Sequence, residues 1–124
     1  MVWNPTCFPY GMAKQTFLER NWCSELVSVF RTNSGASEPV PGNLEEIAER
    51  SALVVAEAPV PSGSRVDIAC KSHVLKGVVR SCTLQGRLGY LLEVRLTPTS
   101  YWSKNRFIPE HLLTIREPRL RISA

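Results

Sequence analysis

The chain has 124 residues, 44% hydrophobic and 21% charged, which suits one globular domain around one core. No apolar run approaches the ~18 residues that span a bilayer. The first residues, MVWNPTCFPYGMAKQ, lack the basic-then-apolar order of a signal peptide, so the expected location is the cytoplasm. The net charge of +4 mildly favours anionic partners and otherwise keeps the chain in solution.

The four cysteines, Cys7, Cys23, Cys70 and Cys82, form no CxxC pair, and the only histidines are His73 and His111. That spacing offers neither the clustered ligands of a zinc site nor the dense cysteines of a disulfide framework. All four read as reduced thiols serving as small apolar side chains.

Residues 1–19 are expected to form an irregular arm, whose Trp3, Phe8 and Tyr10 would suit packing onto a neighbouring surface. Thr16–Trp22 reads as a short helical turn or an extended lead-in. In Ser24–Arg31 (SELVSVFR), period-2 spacing with β-branched residues predicts a strand. Thr32–Asn43 (TNSGASEPVPGN) is dense in turn formers and predicts a loop. A second strand is expected near Arg50–Ala56, with EEIAE as its lead-in, followed by a turn at Ser62–Ser64.

In Arg65–Lys71, Val66, Ile68 and Cys70 face one side of a third strand. After a turn near Ser72 and His73 the chain resumes as a strand through LKGVVRSCTL. There Gly77 marks a bulge or a close backbone approach. Past the QGRLG turn, Tyr90, Leu92, Val94 and Leu96 share one face of a further strand, and Leu91, Glu93 and Arg95 the other. Strands at short intervals joined by Gly/Ser turns predict a mainly all-β domain, an antiparallel sheet curled into a small barrel without open edges.

After Pro98 the pattern changes. A short C-terminal helix is expected at Pro109–Leu113, with proline at its start and Glu110 in its first turn. Trp102, Phe107, Leu112 and Leu113 are expected to cover one barrel opening. The barrel domain is expected to span 20–115, leaving 116–124 as a basic, loosely docked tail.

Catalytic chemistry has little to stand on. A nucleophile needs a base in reach and a group that orients the base. One histidine in a turn and one in a helix supply no such set. Glu45, Glu46 and Glu49 read as a solvated face, and neither GxxxxGK[ST] nor GxGxxG occurs. The chain reads as a non-enzyme that calls for no cofactor or metal.

One stretch has more to say. EEIAERSALVVAEAPVPSGSRVDIAC, then LKGVVRSC, then GYLLEVRL, resembles the PilZ domain, above all the small stand-alone PilZ-like proteins of bacteria. The resemblance covers about Arg20 to Leu113. It implies a six-stranded antiparallel β-barrel, a C-terminal helix and a site for the second messenger cyclic di-GMP. The family's Asp/Asn-x-Ser-x-x-Gly motif falls on Glu46, Ala48 and Ser51, all three departing from it. Ala48 has no polar atom to offer a guanine. Glu46 reaches one methylene further than aspartate, and Ser51 carries a Cβ where glycine lets a ligand approach. The family's Arg-x-x-x-Arg motif falls on Thr16 and Arg20, so one of two phosphate-gripping arginines is present. Losing one such contact, worth ~1.5–3 kcal/mol, weakens binding by about one to two decades.

The resemblance therefore implies a non-catalytic signalling or adaptor domain, impaired in cyclic di-GMP binding and acting through an unidentified protein partner. The degenerate ligand site would be Arg20, Glu46 and Ser51. Two alternatives stand beside it. One is a working cyclic di-GMP receptor. The other is a basic barrel that holds nucleic acid through Arg80, Arg87, Arg95, Lys104, Arg106 and the tail arginines.

Overall fold

Alternating apolar positions drive seven strands in the computed structural model, which describes residues 17–32 and 38–118. The expectations placed on Trp3, Cys7, Phe8, Tyr10, Thr16 and residues 119–124 lie outside the described residues. The strands are β1 (Phe17–Arg31), β2 (Val40–Ile47), β3 (Ser51–Ala56), β4 (Arg65–Ala69), β5 (Val74–Leu84), β6 (Tyr90–Leu96) and β7 (Leu113–Pro118). Neighbours run in the order β2-β3-β6-β5-β4-β1, and β1 also pairs with β2, so six antiparallel strands close into a barrel. Closure leaves these strands few open edges.

The long β1 makes the closure. One edge holds β2 from Asn21 to Val29. The other holds β4 along Ser28–Arg31 and β7 along Phe17–Trp22. The Thr16–Trp22 segment is thus extended from Phe17 onward, and Phe17–Glu19, expected to belong to an irregular arm, are strand because they pair with β7.

The alternation read from the sequence fills the interior. Val27, Val29, Val66, Ile68, Leu92, Val94 and Leu96 are all buried. Gly77 is a close-approach glycine: a Cβ there would stand 2.5 Å from the Arg95 carbonyl oxygen of β6. Trp102 and Phe107 join the core, with Trp102 Nε1 donating to the Phe107 carbonyl at 3.0 Å.

Three expectations need correction. The predicted loop 32–43 runs into a strand, because Pro41 and Gly42 belong to β2. Pro41 sits near the strand's start, and its carbonyl accepts the Glu57 N–H at 2.9 Å. Gly42 allows β2 to lie close to β3, since a Cβ would meet the Val55 carbonyl oxygen at 2.9 Å. Second, no helix forms over Pro109–Leu113. The backbone of Glu110 is spoken for by β1, its N–H donating to Glu25 Oε1 at 2.9 Å and its carbonyl accepting the Ser24 N–H at 3.0 Å. His111 then takes a left-handed conformation (φ 59°) that ends any helical run, and β7 begins at Leu113. Third, Leu113 covers no barrel opening, because its side chain is exposed on β7. Strand β7 also carries Arg116 through Pro118 into the sheet. Among the described residues no helix is long and apolar enough to cross a membrane.

Cys23, Cys70 and Cys82 are free thiols. Burial, with the nearby carboxylates of Glu25, Glu45 and Glu46, pushes the Cys23 thiol from 9.0 up to about 12. Burial and Glu25 likewise push Cys70 up to about 12. At pH 8 only about one part in 10⁴ of such a thiol is thiolate, the reactive form. Cys23 and Cys70 are therefore expected to resist iodoacetamide in the folded protein and to react quickly after denaturation. Mass-spectrometric mapping checks this, and rapid native labelling of either would contradict it. The linked stability change has a definite sign. Between about pH 9 and 12 the folded state holds protons that the unfolded state releases, so stability falls as pH rises through that window.

Candidate functional site

Residues two apart on a strand share a face, so Arg20 and Trp22 both project from the outside of β1. In the β1–β2 register Glu46 stands opposite Trp22, on that same face and diagonal to Arg20. The geometry brings their side chains together. Arg20 Nη2 lies 2.9 Å from Glu46 Oε1, and Arg20 Nε lies 3.4 Å from Glu46 Oε2. The guanidinium also sits over the Trp22 ring, 5.1 Å from its centroid.

The turn from β2 to β3 completes the site. The Ala48 N–H donates to the Ser51 carbonyl at 2.8 Å, which reverses the chain tightly. Arg20, Glu46, Ala48 and Ser51 then line one concavity of about 210 Å³, together with Leu53 and Glu93. The three residues singled out from the sequence thus converge, although they come from three strands. Thr16, which the PilZ likeness expected from the sequence would align with the other arginine, lies outside the described residues.

Sequence reasoning missed Glu93 and Trp22. The alternation places Glu93 on the non-core face of β6 and says nothing of a site there. Its approach to the site follows from the β3–β6 register, which sets it opposite Leu53. Trp22 lies in Thr16–Trp22, whose spacing fixes no face; only the extension of β1 to Phe17 sets it.

Within the concavity Arg20 already has its carboxylate partner. The planar fork of Arg20, well suited to two phosphate oxygens, already faces two carboxylate oxygens. An incoming phosphate would have to displace Glu46 and stand near Glu93. Neither histidine lines the cavity. His73 stacks on Phe107 with 4.6 Å between ring centroids. Among the described residues no group of three or more His, Cys, Asp or Glu side chains is arranged to hold a metal ion. Family models, curated proteins and solved structures were each compared with the chain, and none matches.

Proposed function

We propose that this chain is a PilZ-like, non-catalytic signalling or adaptor domain that acts through protein contacts rather than through cyclic di-GMP. The observation that carries the reading is the Arg20–Glu46 ion pair at 2.9 Å, inside the concavity where the resemblance puts the messenger. A longer carboxylate, that of Glu46, stands where the family presents the shorter Asp or Asn, and it reaches the arginine. The closed six-stranded antiparallel barrel supports the same reading. So does the outer face of β1, where Trp22, Leu26 and Phe30 are exposed and Leu113 of β7 stands opposite Trp22. Exposed apolar groups side by side suit a protein surface.

Calorimetric titration of the purified chain with cyclic di-GMP tests the reading. No heat of binding is expected at micromolar ligand. Micromolar binding that disappears in Arg20→Ala would make the chain a working receptor and end the proposal.

A further inference from the structure

On the other side of Ser51 and Glu93 the same barrel wall carries a second concavity, of about 400 Å³, lined by Arg50, Ser51, Arg80, Glu93, Arg95 and Tyr101. Local structure aims each arginine there. The β5–β6 pairing passes from Val79↔Val94 to Ser81↔Glu93, so Arg80 is the extra residue of a bulge. A bulge re-aims its side chain out of the regular ladder. Arg95 stands directly opposite Ser51 in the β3–β6 register and shares its face. Arg50 is fixed in the turn before β3, where its carbonyl accepts the Leu96 N–H at 2.8 Å. Its guanidinium lies over Tyr101, 5.1 Å from the ring centroid.

The charge balance here is the reverse of that around Arg20, where Glu46 and Glu93 outnumber one guanidinium. Three guanidiniums face one carboxylate, Glu93, which already accepts from Ser81 Oγ at 3.3 Å. Among the described residues neither the Arg80 nor the Arg95 guanidinium has an ion pair or a hydrogen bond. Arg50 reaches Glu49 only at 3.9 Å, with both side chains 69% exposed. Concentrating like charges in a concavity is unfavourable unless a counter-charge sits between them. With Glu93 and the loose Glu49 contact both counted, a surplus of one to two positive charges remains, which suits a phosphoryl group, and arginine forks match its oxygens.

We propose that this concavity binds the phosphoryl end of a small phosphorylated molecule, with Arg80 and Arg95 gripping the phosphate and Arg50, braced on Tyr101, closing over it. The volume falls in the small-molecule range of ~300–1,000 Å³. A nucleic-acid strand fits less well, because Glu93 and Glu46 continue the wall and repel an extended row of phosphates. The inference does not rest on the PilZ reading. That reading is tested through Arg20, and this one through Arg80 and Arg95.

Inorganic pyrophosphate is the probe, titrated into the full chain and followed by amide NMR shifts and calorimetry. Saturable binding is expected, with shifts centred on residues 50–51, 80, 95 and 101. Arg80→Ala and Arg95→Ala are each expected to weaken it at least about tenfold, in line with the loss of a charge-assisted contact. Arg87→Ala, at the far end of the β5–β6 hairpin, should bind like the parent. Matching thermal melts show that the variants remain folded. Non-saturable shifts, or equal weakening in Arg87→Ala, would overturn the proposal. So would single-stranded oligonucleotide binding that falls equally in Arg80→Ala, Arg87→Ala and Lys104→Ala, since that marks a diffuse basic surface.

Discussion

Glu25→Ala is expected to destabilise the protein by about 2–4 kcal/mol, a large share of the ~5–15 kcal/mol that holds a domain of this size together. Glu25 is a carboxylate only 4% exposed. It occupies the stretch of β1's edge that lies between β7 and β4. There its two oxygens accept the Lys71 N–H at 2.8 Å and the Glu110 N–H at 2.9 Å. It thereby ties two separate loops to one strand and does the work of a missing ladder rung. Alanine leaves both N–H groups without their acceptor and frees both loops. Glu25→Gln keeps one acceptor oxygen and should lose roughly half as much. Denaturant unfolding gives the stability change. Hydrogen exchange should show faster exchange at Lys71 and Glu110 before the barrel strands are affected. Parent-like stability and protection in Glu25→Ala would refute the clip.

Gly77→Val is expected to cost about 3 kcal/mol or more, and Gly77→Ala a smaller amount in the same direction. A Cβ at this position would stand 2.5 Å from the Arg95 carbonyl oxygen, 2.7 Å from Val94 Cγ1 and 3.2 Å from the Arg95 carbonyl carbon. Two of those atoms are backbone, and β5 is held on both sides, by β4 at Val66↔Gly77 and by β6 at Gly77↔Leu96. Neither strand can withdraw without giving up ladder hydrogen bonds. The unfolding midpoint reports the result, and a valine variant with the parent midpoint would show that the wall yields freely.

The resemblance to PilZ domains rests on the same local cues that made the strands legible. Period-2 alternation over Arg65–Ala69 and Tyr90–Leu96 is set by neighbours along the chain, so β4 and β6 and their buried faces were readable from spacing alone, whereas β5 was readable only as a strand, because the bulge at Arg80 breaks its alternation. Gly77 was readable as a special position for the same reason. Strand β2 was hidden because Pro41 and Gly42 carry the local signature of a turn. Only pairing with β1 on one side and β3 on the other makes an extended conformation the better outcome. The missing helix has a similar origin. Proline followed by glutamate is a sound helix start, yet the Glu110 backbone gains more from Ser24 and Glu25, which are 86 and 85 residues away in sequence.

The candidate site divides along the same line. Sequence alone determined which side chains stand at the positions the proposed PilZ likeness would align with its motifs: Arg20, Glu46, Ala48 and Ser51, with no serine hydroxyl at Ala48 and no glycine at Ser51. Tertiary structure alone decided that Arg20 is matched by Glu46 while Arg80 and Arg95 face a cavity with surplus charge. Side-chain identity is a property of the chain, whereas charge balance depends on strand register. One step of register, or one bulge at Arg80, decides which guanidinium meets a carboxylate and which is left facing the cavity.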